Sequence, residues 1–336
     1  MKGPVVIFGA NGFLGRYLTR HLLRKGREVV AVARERFEGD AGAMFIEWDG
    51  RTLGSWALAL EGADMVVNLA GRSVHCRYTP ENRDEIMQSR VASTKVIGEA
   101  IAACEAPPRL WVNASTATIY RDARDEAQTE WTGEFGEGFS VEVASRWEET
   151  FFAAACPGVT RKVVLRKGMV LGNEADSVFG VVSRLANLGL GGSMAGGGQR
   201  VSWIHMDDFL GVVDWIEDQP LVDGVINVTA PECPTNEQWM REFREMVAMP
   251  LGLPSARWML EVGALFMRTE AELVTKSRWV KPARLEQLGF RWRWPSLGAA
   301  LGDLKSRDGM DAFFEVPSRR AIGSRAWTSG EGLRVS

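Results

Sequence analysis

Three glycines, Gly9, Gly12 and Gly15, stand between a short apolar run, Val5–Phe8, and a stretch carrying Leu14, Leu18, Leu22 and Leu23 at helical spacing. At such a turn the first glycine permits the tight bend and the second lets the backbone approach a pyrophosphate. The third lets helix and strand pack closely. The start of a helix adds free N–H groups and the positive end of the helix dipole. With Asn11, Phe13 and Leu14 completing the loop, the segment is expected to cradle the phosphates of a dinucleotide.

A second apolar run, Val29–Ala33, completes a βαβ unit and ends where NAD is normally told from NADP. An acidic side chain there holds the ribose 2′-hydroxyl, whereas an arginine accepts a 2′-phosphate. Arg34 follows Ala33, with Arg36 close behind, so NADP(H) is expected to be preferred, with NAD(H) possible. The other reading makes Arg34 a solvated loop charge and puts Glu35 on the ribose.

The elements that must position this loop follow the same alternation. Apolar runs at 44–48, 65–71, 109–115, 161–172 and 224–229 read as strands, and helical patterns cover 81–104 and 141–155. Nearly continuous apolar strands between amphipathic helices predict an α/β fold, a Rossmann-type doubly wound parallel sheet covered on both faces. The glycine-rich stretch 188–200 reads as a loop over a cleft, 201–216 turns into a helix, and the chain from Pro231 onward is expected to be mainly helical. The expected division is a dinucleotide-binding domain at 1–172, with 206–229 returning to it. A smaller helical substrate domain at 173–205 and 230–304, and a flexible tail at 305–336, complete it.

Composition excludes several function classes. A net charge of −3, from 40 basic and 43 acidic residues, leaves no electrostatic footprint for nucleic acid. Four scattered cysteines and three scattered histidines lack metal-ligand spacing, so no metal and a reducing compartment are expected. No apolar run approaches the ~18–20 residues of a membrane span. The first strand begins almost at Met1, so no signal peptide and a cytoplasmic location are expected.

The glycine loop, the later NLAG at 68–71 and the STATIY at 115–120 together resemble the extended short-chain dehydrogenase/reductases. SR-x-x-x-T (89–94), RWEE (146–149), LRKGMVLG (165–172), LGLGG (188–192), WIHMDD (203–208) and KPARL-x-x-LGF (281–290) look like one atypical branch of them. That branch is labelled epimerase family protein, or predicted nucleoside-diphosphate-sugar epimerase, and ends in a small domain of unknown function. The resemblance covers residues 1–304 and implies a small-molecule substrate such as a sugar nucleotide, with a homodimer possible.

It also exposes a gap. Related enzymes use a Tyr-x-x-x-Lys pair with a nearby Ser or Thr, the tyrosine passing the proton that accompanies hydride transfer. Counting back from Glu148 puts Ser140 at the tyrosine position and Ala144 at the lysine position, and none of Tyr17, Tyr78 and Tyr120 has a lysine four residues on. Two expectations therefore stand open: an oxidoreductase or epimerase with relocated chemistry, or a non-catalytic NADP(H)-binding regulator or scaffold.

Thr116, ending the fifth strand, keeps the Ser/Thr position, and Tyr120, with Arg124 four residues on, is the candidate substitute acid or else a packing residue. Asp49 and Leu69, Ala70 and Gly71 of NLAG belong to the expected cofactor side, as do Arg90 of the SR motif and Lys167, whose charge would partly replace that of the missing lysine. The loop residues His75, Arg77 and Tyr78 suit a cover over the nicotinamide side. Arg200 resembles an arginine that contacts a substrate diphosphate, and His205 is a substrate-side proton donor or a structural histidine.

Overall fold

Val5, Ile7, Val29, Ala31, Met65 and Val67 are buried on one face of a sheet, and Val6, Phe8, Val30, Val32 and Val66 on the other. Burial on both faces is why these runs read as continuously apolar instead of alternating. The computed structural model describes residues 2–37, 42–255 and 275–307.

The strands are β1 (Val5–Phe8), β2 (Val29–Ala33), β3 (Met44–Glu47), β4 (Met65–Asn68), β5 (Leu110–Thr116), β6 (Arg161–Lys167) and, later, β9 (Gly224–Val228). They form one seven-stranded sheet in the order β3-β2-β1-β4-β5-β6-β9, and every pairing is parallel. This is the doubly wound arrangement expected from the sequence. The chain winds outward from β1 to β3 and then returns to β4, so a crevice opens above the carboxyl ends of β1 and β4. Ligands bind at such a switch point.

Helices α1 (Phe13–Arg24) and α5 (Met206–Asp218) cover one face through Leu18, Leu22, Phe209, Val213 and Ile216. Helices α2 (Pro80–Ala102) and α3 (Phe139–Ala153) cover the other through Ile97, Ile101 and Phe151, joined by Trp48, Trp56 and Trp111.

The run 161–172 is not one strand. It breaks at Gly168, where an added Cβ would lie 2.7 Å from the Ser202 carbonyl oxygen. Beyond the break, β7 (Met169–Leu171) leaves the large sheet and pairs with β8 (Trp203–His205). Helices α4 (Val178–Asn187), α6 (Asn236–Met246) and α8 (Leu297–Ser306) gather around Leu171, Phe179, Trp203, Trp239, Phe243 and Leu301 as a separate hydrophobic cluster. A short helix, α7 (Ala283–Gln287), precedes α8.

Residues 305–307, expected to belong to a flexible tail, are ordered: α8 runs to Ser306, and Arg307 is anchored to Asp207 and Asp303. The rest of the expected tail, 308–336, and the part of the expected helical region at 256–274 lie outside the described residues. No helix among the described residues is long and apolar enough to cross a membrane.

Candidate functional site

The loop after β1 is built by close approach. Gly9 has φ +75°, and an added Cβ would lie 2.8 Å from the Ala70 nitrogen, so only glycine lets this turn sit against the end of β4. Gly15 packs α1 down onto the same turn, with an added Cβ only 2.4 Å from the Gly9 oxygen. Gly12 differs: it caps α1 in an ordinary extended conformation, and an added Cβ would meet nothing closer than the Gly9 oxygen at 3.3 Å. Its open side faces a cavity of about 540 Å³. No acidic side chain occupies the first turn of α1, so the positive helix end is left for a ligand.

Gly9, Asn11, Gly12, Arg34, Asp49, Leu69, Ala70 and Gly71 all line this cavity. The Asp49 carboxylate is fixed by the backbone N–H groups of Arg51 (2.8 Å) and Thr52 (2.9 Å), which hold its pKa below the usual range. Arg34 is exposed on the rim, whereas Arg36 is drawn aside over the Phe45 ring at 4.8 Å.

Phe13, Leu14 and Gly15 are not in the cavity wall. Phe13 packs on Tyr17 with ring centroids 5.4 Å apart, Leu14 packs against the core, and Gly15 serves the helix–strand contact. The lining also contains Trp48, Arg51, Arg72, Glu85 and Ser89, which sequence reasoning missed. Trp48 and Arg51 flank Asp49, and Ser89 opens the SR motif, so proximity to expected residues was the available signal.

Arg90 and Lys167 stand beside the cavity, not in its wall. The Arg90 guanidinium lies behind Gly71, over the Trp147 ring at 5.1 Å, and donates to the Ile86 carbonyl at 3.0 Å. Lys167 closes β6 in register with Thr116 and donates to the Ser115 carbonyl at 3.1 Å. Neither has a carboxylate partner among the described residues. Burial lowers the pKa of Lys167 to about 8, with the Arg90 charge adding to the effect, and burial lowers Arg90 to about 10. Two half-buried cations without counter-ions make this edge a place for an anion.

Thr116 is half-buried at this edge, its hydroxyl donating to the Thr118 hydroxyl at 2.9 Å. Tyr120 is not at the cleft. It is 1% exposed, donates to Asn227 at 2.9 Å and accepts from Arg166 at 2.8 Å, and burial raises its pKa. Its hydroxyl is committed on both sides, so the structure corrects its candidacy as the substitute acid: it is a packing residue. Ser140, in the first turn of α3, instead lies 3.3 Å from the hydroxyl of Tyr78. Ala144 is fully buried with Ala117, Ile119 and Val141.

His205 is also corrected to a structural role. Its side chain is fully buried, caps α5 by accepting from the Asp207 N–H at 3.0 Å, and approaches Asp303 at 3.2 Å. Burial lowers its pKa to about 4, so at neutral pH it is an uncharged imidazole with no proton to give as an acid. Asp207 and Asp303 share the Arg307 guanidinium, which takes up the carboxylates beside it. Arg200 is held by the Cys233 carbonyl at 2.9 Å and by the Trp279 ring at 4.6 Å, and its backbone N–H donates to Ser277.

This glycine cradle at a doubly wound switch point has counterparts in known proteins. The sequence profile of the NAD dependent epimerase/dehydratase family matches residues 5–228. The chain belongs to that family. A second profile, a domain of unknown function (DUF1731), matches residues 256–304, in line with the branch resemblance drawn from the motifs. Among curated relatives, the epimerase family protein SDR39U1 of Bos taurus is 32% identical over 309 residues, covering 89% of this chain and 99% of the relative. A crystal structure of human SDR39U1 (isoform 2) with NADPH superposes with a TM-score of 0.79 at 29% identity, covering 90% of this chain and 99% of that one. A nucleoside-diphosphate sugar epimerase from Corynebacterium glutamicum gives 0.71 at 26% identity, covering 90% of this chain and 57% of the other.

Proposed function

We propose that this epimerase/dehydratase-family chain binds NADP(H) across the β1–β4 crevice and acts on a sugar nucleotide or similar small polar compound. The observation that carries the reading is the cavity itself, with Gly12 open to it, the free end of α1 at its base and Arg34 on its rim. The NADPH in the human relative's crystal structure supports the choice of cofactor. When bound, that cofactor supplies or removes a hydride. The chain's own residues bind its phosphates through the α1 N–H groups, fix the adenosine side through Asp49 and Arg34, and position the substrate near Thr116 and the Arg90–Lys167 edge. The separate cluster formed by α4, α6 and α8 supports reading this part of the chain as a substrate domain.

Calorimetric titration tests the cofactor assignment. NADPH is expected to bind more tightly than NADH, and Arg34→Ala to cost about 1–3 kcal/mol for NADPH with little change for NADH. Equal affinities in the wild type would sink the assignment.

The charge on Lys167 makes a second expectation. It carries its proton below about pH 8 and loses it above. An anionic dinucleotide favours the protonated form, so affinity for NADPH falls as pH rises through this point, by up to about tenfold. Lys167→Met is expected to flatten that part of the profile, and an unchanged profile would remove Lys167 from the cofactor's surroundings.

A second reading, a non-catalytic NADP(H)-binding regulator, is favoured by Ser140 and Ala144 at the usual acid/base positions. Turnover of NADPH with a panel of carbonyl compounds and sugar nucleotides separates the two.

A further inference from the structure

The relay missing from α3 has a neighbour that arrives from another element. Tyr78 belongs to the segment between β4 and α2, whose first residues, Leu69 to Arg72, form the cavity wall. Its hydroxyl lies 3.3 Å from Ser140 Oγ, at the helix position where related enzymes carry tyrosine. The ring is set edge-on to Phe139 with centroids 4.9 Å apart. Arg83 donates to the Tyr78 carbonyl at 3.2 Å, and Asn82 donates to the Arg77 carbonyl at 2.7 Å, so the loop is tied to the start of α2. The Arg90 guanidinium, which has no carboxylate partner among the described residues, lies behind Gly71 and over the Trp147 ring of α3, and its charge and a Tyr78 phenolate favour one another.

We propose that Tyr78 is the proton donor of this chain, taking the place vacated at Ser140, with Arg90 supplying the positive charge that the missing lysine would have supplied. The inference rests on the reading of the crevice as an NADP(H) site. In the reductive direction the substrate's carbonyl carbon receives a hydride, with its electron pair, from the reduced nicotinamide. The C=O π electrons move onto oxygen, which takes the proton from Tyr78 Oη as that O–H bond breaks. The phenolate left behind, favoured by the Arg90 charge, regains its proton from water, and the cofactor leaves in its oxidised form. A cation within reach favours the ionised phenol, the same physical effect as the lysine of the usual pair.

The chain has three tyrosines, so ¹³Cζ-tyrosine labelling gives three signals, assigned by the Tyr→Phe variants. In the cofactor-free protein Arg90→Met is expected to move the Tyr78 midpoint upward, and Arg90→Lys to leave it at the wild-type value. In turnover, Tyr78→Phe is expected to lower kcat by about 100-fold or more with the Kd for NADPH unchanged. Tyr120→Phe should retain kcat. A midpoint indifferent to Arg90→Met, or full turnover in Tyr78→Phe, would each overturn the proposal. Failure of the cofactor reading shows separately, as absence of NADPH binding to the wild type.

Discussion

Gly12→Val is expected to weaken NADPH binding by at least about 100-fold, roughly 3 kcal/mol, while leaving the fold standing. The three glycines of the loop look alike in sequence but do different work. Gly12 has φ −74° and ψ 169°, a conformation open to any L residue, and its added Cβ meets only the Gly9 oxygen at 3.3 Å. The cost of valine at this helix cap is about 1 kcal/mol at most. What the side chain would fill is the cavity, where a pyrophosphate must touch backbone. Gly15→Val acts on the fold first, because its Cβ would lie 2.4 Å from the Gly9 oxygen and 2.7 Å from Ala10 Cα, both backbone atoms that cannot swing away. Thermal unfolding by circular dichroism beside a fluorescence titration with NADPH separates the two. Tight binding by Gly12→Val would show that the cofactor sits elsewhere, and a Gly15→Val protein as stable as wild type would refute the packing role.

The contrast shows what is legible in a sequence of this kind. Periodicity finds β1, β2, β4 and β5 because their residues are covered on both faces, and it finds α1 because its leucines form one stripe. It also finds the glycine loop, since the local turn requirement and the ligand requirement fall on the same residues. It does not show that 161–172 divides, because Gly168 matters only when Ser202 is brought against it by a strand 35 residues away. The same limit explains the acid. Tyr120 attracted attention by lying four residues after Thr116, but the chain turns inward there and spends its hydroxyl on Arg166 and Asn227. Tyr78 is 62 residues from Ser140, a pairing that no local spacing encodes. His205 is a related case. Its position before two aspartates is visible as a helix start, whereas its full burial follows from packing against Trp294 and Asp303.

Glu148→Ala is expected to destabilise the protein by about 3–5 kcal/mol, with the effect originating far from any exposed surface. The carboxylate receives Ser115 Oγ at 2.5 Å and two nitrogens of Arg166, at 2.9 and 2.7 Å. Arg166 continues to Tyr120, and Tyr120 to Asn227, whose amide reaches the Lys281 carbonyl at 3.0 Å. This chain of bonds ties α3, β5, β6 and β9 together beneath the edge that carries Thr116 and Lys167. Both members of the ion pair have side chains 7% exposed, so removal of the carboxylate strands a guanidinium that water cannot reach. The Glu148→Met, Arg166→Met double variant removes both charges and is expected to cost less than the single change, because a buried pair attracts strongly but is costly to desolvate. Denaturant unfolding of the single and double variants measures the difference. A loss below about 1 kcal/mol in Glu148→Ala would equate the pair with an exposed salt bridge and would mean that water enters the network. A double variant less stable than Glu148→Ala would show that Arg166 holds the edge through Tyr120 even without its carboxylate.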